Sequence, residues 1–292
     1  MKEQDKMNIQ WYPGHMTKTR RQIEEDLKQV DAVCEILDAR IPISSRNPDI
    51  NAICGNKPRL IVLNRMDLAD AAGIRRWCDY FASAGITAVP TDCKSKKGIK
   101  GFRPAVNTLL ADKIQRNAAK GMNKPVRVMI VGIPNVGKST FINQISGRKG
   151  AKAENRPGVT RGKQWVNVDN GLLLLDTPGI LWPKFEDPKV GMMLAYTGAV
   201  KSDVIDTEEL AARLALLLRS RYPESLENRY GTEAAQIEAE TGYEVLEAIG
   251  RKRGLLISRG EIDLERTAKV LLDEFRSGKL GRFTLEEPED LQ

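Results

Sequence analysis

A chain of 292 residues, with 46 Lys and Arg against 39 Asp and Glu and a net charge of +7, is long enough for one large or two smaller cored domains. Its longest apolar stretch, Leu210 to Leu218, is broken by Arg213 and falls short of the ~20 residues of a membrane helix. The opening MKEQDKMNIQ carries acids and lacks the apolar centre of a secretory signal, and the four cysteines form no C-x-x-C pair, so a cytoplasmic protein with reduced, mostly buried thiols is expected.

In chain order, Trp11 to Arg21 (WYPGHMTKTRR) leads into helical spacing at Ile23, Leu27 and Val30. His15, the sole histidine, lies in that lead; beside an aromatic pair such a residue is more often packed or capping than catalytic. Ala32 to Leu37 reads as a buried strand, and Asp38 to Pro48 (DARIPISSRNP) as a long loop at its carboxyl end, where open parallel sheets bind ligands. Arg59 to Leu63 is a second buried strand that stops at Asn64-Arg65-Met66-Asp67. A helix over 69–84 and a short strand over 87–90 come next. The loop Thr91-Asp92-Cys93-Lys94-Ser95-Lys96-Lys97-Gly98 and an amphipathic helix over 99–117 lead to a glycine-containing joint, NAAKGMNKP.

Val128 to Val131 then runs into Gly132-x-x-x-x-Gly137-Lys138-Ser139, followed by a helix. Strand, glycine loop and helix in that order make a phosphate-cradling P-loop. Its glycines let backbone N–H groups turn inward as an anion site, and the helix adds the positive end of its dipole. Asn135, Val136, Gly137, Lys138, Ser139 and Thr140 are the expected nucleotide contacts, with Lys138 reaching the outer phosphates and the Ser139 hydroxyl on Mg²⁺.

The polar, basic stretch Arg148 to Gly162 reads as a mobile loop containing Thr160. Trp165 to Val168 and Leu172 to Leu175 form a strand pair turned at Asp169-Asn170-Gly171, and the second strand opens directly into Asp176-Thr177-Pro178-Gly179. Alternating strands and helices predict a doubly wound, mostly parallel α/β sheet. Beyond Lys184 the strand signal fades, and helices are predicted at 189–200, 207–221, 232–240, 242–250 and 261–277. The expected division is a nucleotide-binding domain at 1–184 and an all-helical domain at 185–292. Charge divides the same way: 31 basic against 17 acidic residues in the first part, a balance of +14, and 15 against 22 in the second, −7. The basic first part points to a polyanionic partner, nucleic acid above all.

A P-loop alone does not separate ATP from GTP. A carboxylate such as Asp67 at a strand end can accept the ring N–H and exocyclic amine of guanine, where adenine presents an acceptor. Asp176-x-x-Gly179 is the complementary metal and γ-phosphate sensor, with Thr160 beside it. These are GTPase motifs in rotated order, guanine segment before P-loop. With W-Y-P-G-H-M (11–16), D-A-R-I-P-I-S-S-R-N-P (38–48), GIPNVGKST (132–140), PGVTRG (157–162), DTPG (176–179) and G-R-F-T-L-E (281–286), the chain resembles the circularly permuted GTPases of ribosome assembly over nearly its whole length.

That resemblance implies a permuted P-loop GTPase sheet followed by a small helical domain that binds RNA or the ribosome. It implies GTP hydrolysis with Mg²⁺ held by Ser139, Thr160 and Asp176, and a potassium ion on Asn135. Asn64, Arg65, Asp67, Cys93 and Lys94 would recognise guanine, and Gly179 would sense the γ-phosphate. Arg65 departs from the usual lysine of the guanine motif, and Asp92-Cys93-Lys94 from the usual Ser-Ala-Lys. Ile180 follows DTPG where many GTPases place a water-orienting glutamine, and the family offers His15 instead; Lys138 and Thr160 complete the catalytic set. The implied partners are the large ribosomal subunit and its rRNA in late maturation, with no membrane and a monomer off the ribosome. Two other readings stand beside this one, a small-molecule P-loop kinase and an RNA-binding module with a structural nucleotide site. Turnover that rises on adding ribosomal subunits separates the first reading from both.

Overall fold

The computed structural model describes residues 16–147, 164–169, 171–179, 187–200, 206–236 and 238–291. They form two compact units, one of residues up to 184 joined by 284–291, the other of residues 185–283.

The first unit is built on a six-stranded sheet of order β3-β2-β1-β4-β6-β5. Its strands are β1 (Ala32–Asp38), β2 (Arg59–Asn64), β3 (Thr87–Pro90), β4 (Val126–Val131), β5 (Gln164–Asp169) and β6 (Leu172–Asp176). All neighbours run parallel except the β5–β6 hairpin at the edge. β1 is buried at every position, which is why its sequence is a nearly unbroken apolar run and not an alternation.

Helices α1 (Met16–Leu27), α2 (Ile50–Cys54) and α3 (Ala71–Ser83) cover one face. Ile23 and Leu27 of α1 and Ile50 of α2 pack on Val33, Met129, Val131 and Leu175. Trp77 and Phe81 of α3 pack on Leu37, Ile61 and Leu63. Truncating such a buried aromatic to alanine costs about 3–5 kcal/mol. After β3 the chain continues through α4 (Phe102–Leu109), which packs on β2 and β3, α5 (Ala111–Ala119), and then β4 and α6 (Lys138–Ser146), which packs on β5 and β6. Phe102 and Phe141 meet edge to face, ring centroids 5.1 Å apart.

The helix predicted over 99–117 is divided. A 3₁₀ turn at Ile99–Gly101 precedes α4, and Leu110, at φ −110° and ψ 19°, leaves helical geometry between α4 and α5 with its side chain buried.

The second unit contains α7 (Pro188–Thr197), α8 (Thr207–Arg221), α9 (Pro223–Tyr230), α10 (Thr232–Gln236), α11 (Gly242–Arg253) and α12 (Leu264–Ser277). α8 lies at its centre, with Leu210, Leu214 and Leu218 fully buried and both α11 and α12 packed on it. Asp187, Asp206 and Asp263 accept backbone N–H bonds at the starts of α7, α8 and α12, which is why those helices begin where they do. Pro223 reads as a separator in the sequence but opens α9, because a proline at the first helical position has no N–H to lose and its φ is already helical. The helix predicted over 232–240 is the shorter α10. Glu274 is buried and accepts from Arg229 Nε at 2.9 Å, Tyr230 OH at 2.7 Å and Arg253 Nη2 at 3.0 Å. Arg229 above all holds its carboxyl down to about 2 against the effect of burial, with Tyr230 and Arg253 assisting. Among the described residues no helix is long and apolar enough to cross a membrane.

Candidate nucleotide-binding site

The strand order reverses between β1 and β4, so the loops leaving their carboxyl ends diverge and open a crevice between them. β4 delivers the glycine loop to that crevice and β1 delivers Asp38. α6 starts at Lys138, so the free N–H groups of its first turn face the place where phosphate charge belongs. Gly137 takes φ +100°, and a Cβ there would lie 2.4 Å from Asn64 Nδ2, so no other residue fits. Asn135 also has positive φ, 59°, a conformation that asparagine tolerates better than most.

Lys138 is buried, and its ammonium donates to the carbonyls of Gly132 at 2.9 Å and Ile133 at 2.8 Å. Burial lowers its pKa to about 8, with Asp176 opposing the shift. Asp176, at the end of β6, is 2 % exposed, and burial raises its carboxyl to about 6 against the pull of Lys138. Among the described residues its buried Oδ1 has no hydrogen-bond partner, a costly state for a carboxylate oxygen. That carboxylate oxygen, together with the Ser139 hydroxyl, is the donor chemistry of a hard cation such as Mg²⁺. Thr177 Oγ1 donates to Ile130 O at 2.8 Å and pins the start of Thr177-Pro178-Gly179 to β4. Gly179 is held close to the P-loop: a Cβ there would lie 2.9 Å from the Pro134 backbone and 3.1 Å from Lys138 Nζ.

The guanine segment meets the same loop from β2. Asn64 Nδ2 donates to Val136 O at 2.8 Å, and Arg65 Nη2 donates to Asn135 O at 2.6 Å. Arg65 takes φ 61°, and its Nε lies 3.8 Å from Asp38 Oδ2. Burial lowers its pKa, and Asp38 opposes that shift. Asp67 is half-buried, and its carboxyl is raised by burial and then by the charge of Asp92. Two N–H donors of a guanine edge would oppose that rise by stabilising the ionised carboxylate. The segment after β3 is fastened beneath it: Met66 N donates to Thr91 O at 3.1 Å, and Lys94 N to Asp92 Oδ1 at 2.7 Å. Cys93 is buried, and burial pushes its thiol up to about 12.

Contacts therefore join Asn64, Arg65, Asn135, Val136, Gly137, Lys138, Asp176 and Gly179 into one assembly, with Asp67, Asp92 and Lys94 at one end. Ser139 and Thr140 are half-buried at the start of α6. His15, Thr160, Ile180 and the basic loop of 148–162 lie outside the described residues. The sequence marks the loop after β1 as a site wall but gives Asp38 and Arg40 no role, and the structure does. Arg40 is fully buried and binds Asp38 through Nε at 3.0 Å and Nη2 at 2.8 Å. An Asp and an Arg two positions apart, at the end of a mostly apolar strand, are the available signal.

Residues 127–225 match the profile of a family described as "50S ribosome-binding GTPase", a match that begins within β4. Ribosome biogenesis GTPase A of Priestia megaterium is 48% identical over 288 residues, covering 98% of this chain and 99% of the relative. The protein of the same name from Bacillus cereus is 45% identical, with 97% and 95% covered. Among solved structures, GNP-bound YlqF from T. maritima superposes with a TM-score of 0.64 at 29% identity, over 93% of this chain and 99% of that one. The kinase reading of the P-loop is thereby set aside. A guanine segment that braces the P-loop from upstream in the chain, and full-length likeness to these proteins, place this chain in the ribosome biogenesis GTPase A family of circularly permuted GTPases, enzymes that hydrolyse GTP in ribosome assembly.

Proposed function

We propose that this GTPase acts in late maturation of the large ribosomal subunit, holds rRNA while GTP is bound, and leaves when GTP is hydrolysed. The observation that carries the nucleotide half of the reading is the Asn64–Val136 bond, because it fixes the guanine segment against the phosphate loop at one bonding distance. The matched family description and the names of the relatives support the ribosomal half.

In this reading Asp67 accepts the guanine N–H groups, Arg65 lies along the base, the Cys93 N–H and Lys94 back it, and Lys138 with the α6 N-terminus holds the phosphates. Ser139, Asp176 and Thr160 would hold Mg²⁺, which would supply charge neutralisation to the phosphates when bound. Asn135 holds potassium, and His15 orients the attacking water that Ile180 cannot. Gly179 reports loss of the γ-phosphate to the segment that leads into a helical domain at 185–292, an order–disorder device. That domain and the basic loops of the 1–184 domain grip rRNA, and the protein is a cytoplasmic monomer off the ribosome.

Steady-state GTP hydrolysis with and without purified large subunits is the test. The expected result is turnover that rises with large subunits and not with small ones; an unchanged rate removes the subunit from the reading and leaves the GTPase alone.

A further inference from the structure

Residues 284–287 follow the helical unit in the chain and belong to the sheet unit, where both of their carboxylates are held by hydrogen bonds. The Glu286 carboxylate accepts from Ile43 N at 2.7 Å, from Ser44 N at 3.0 Å and from the Ser44 hydroxyl. Leu285 N donates to Arg40 O at 2.8 Å, and Trp77 Nε1 donates to Glu286 O at 2.9 Å. Glu287 takes both Arg76 nitrogens, at 2.7 and 2.8 Å. Gly73 in the first turn of α3 sits so close to Thr284 that a Cβ would come 2.3 Å from its hydroxyl oxygen. These contacts seat the segment between α3 and the loop after β1.

The loop so gripped, 38–45, is the one whose other side faces the nucleotide site. Asp38 N donates to Ser45 Oγ at 3.0 Å and Ala39 N to Asn64 O at 2.9 Å. Arg40 is clamped on Asp38, and Asp38 faces Arg65, which reaches the P-loop carbonyl of Asn135. A planar guanidinium has donors to spare for both the carboxylate and the carbonyl, whereas a lysine in its place is a single point. The arginine at position 65 is therefore matched to Asp38.

We propose that Glu286 is a positioning residue for the guanine end of the site: by fixing the 38–45 loop it holds Asp38 where Asp38 keeps Arg65 against the base and the P-loop. This rests on the reading of Asn64 to Asp67 as the guanine segment. Contacts that merely tidied the surface would not need to engage the backbone of Arg40, whose side chain makes the Asp38 contact.

The test is a double-mutant cycle in the full chain, read by binding of fluorescent GDP and, separately, of Mg²⁺-pyrophosphate as a probe of the phosphate end alone. Wild type is first compared for GDP against ADP. Absence of a guanine preference overturns the underlying reading and this role with it, whereas a clear preference leaves the variants to decide. Glu286→Ala is expected to weaken GDP about tenfold, within the range for coupled neighbours, and to leave pyrophosphate unchanged. In an Arg65→Ala background the same substitution should cost less than about twofold, because its route is already cut. Ser44→Ala, which removes only the hydroxyl donor, gives a milder loss of the same kind and serves if Glu286→Ala does not fold. An equal loss of GDP and pyrophosphate, an undiminished Glu286→Ala effect without Arg65, or GDP affinity as in wild type in the folded variants overturns the proposal.

Discussion

Asn64 Nδ2 donates to the carbonyl oxygen of Val136 at 2.8 Å across 72 residues of sequence. Because Gly137 leaves no room for a Cβ at that point, the amide is seated directly on the loop backbone. One residue thus ties the end of β2 to the glycine loop after β4.

Asp67, whose carboxyl is raised by burial and by Asp92, is the acceptor we propose for guanine. Asp67→Asn should weaken GTP by about 10²-fold, the cost of a mismatched buried hydrogen-bonding group, and should favour xanthosine triphosphate, whose extra carbonyl can accept from an amide. Competition titration of GTP against the xanthine nucleotide decides it, and equal GTP affinity in mutant and wild type would remove Asp67 from the base site.

Lys138→Ala and Ser139→Ala should each abolish measurable Mg²⁺-GTP binding at micromolar nucleotide. The first removes a buried cation already poised over the loop carbonyls, and the second a hydroxyl at the helix start. Calorimetry with and without Mg²⁺ separates them. Ser139→Ala should lose the metal-dependent part, and normal hydrolysis by either variant is incompatible with a working P-loop.

His15→Ala should leave GTP affinity as in wild type and slow subunit-stimulated hydrolysis by roughly 10²-fold, the scale of a lost acid–base group. Exchange of potassium for sodium should slow turnover as well if Asn135 holds the ion. Single-turnover rates at saturating GTP check both, and a loss of binding instead would make His15 a structural residue.

Glu286 gives stability a pH dependence. Burial raises its carboxyl to about 7, with the Ser44 hydroxyl and the N–H groups of Ser44 and Ile43 opposing and Asp290 adding to the rise. The folded pKa lies above the ordinary value of 4.5, so the folded state holds the proton more tightly. Its contribution is complete below that ordinary value and is lost as pH climbs through about 7. Denaturant titrations between pH 5 and 7.5 should show stability falling by up to about 1.4 kcal/mol per pH unit, and Glu286→Gln should flatten the slope. A slope that survives the substitution belongs to other groups.

RNA binding should lie mainly with the loops near the base. Lys96, Lys97 and Lys100 are exposed, whereas in the helical unit Arg253 is engaged by Glu274 at 3.0 Å. Reversing the three lysines should reduce the slope of log affinity against log salt by about 0.7–0.9 for each RNA phosphate left without its cation. If reversing Arg251, Lys252 and Arg253 flattens the slope and the lysine variant behaves as wild type, the helical unit is the main anchor.

Much of this site was legible because its chemistry is local. The P-loop, Asn64 to Asp67 and Asp176 to Gly179 each follow an apolar strand, and short runs of that type are readable without tertiary knowledge. What escaped was non-local. Nothing in Leu285-Glu286 announces that it will lie against Ser44, since the match is between backbone groups and a carboxylate 242 residues away. The break at Leu110 likewise depends on a buried niche that periodicity cannot display. Pro223 was ambiguous for a different reason: the same residue ends one helix and starts another, and only the packing of Leu226 and Tyr230 selects the second.

The rotated motif order has a consequence during synthesis. β1 has β2 as a neighbour soon after it is made, but its other edge is completed only by β4, which begins at Val126. Until then the nascent chain carries an open central strand edge, the kind of surface that invites wrong pairing. Ser44 waits longer still for Glu286, on the order of 10–50 s at ribosomal speeds of about 5–20 residues per second. The loop that orders Arg65 is thus among the first segments made and among the last to be secured, so a growing chain gains its phosphate grip well before its guanine end is locked.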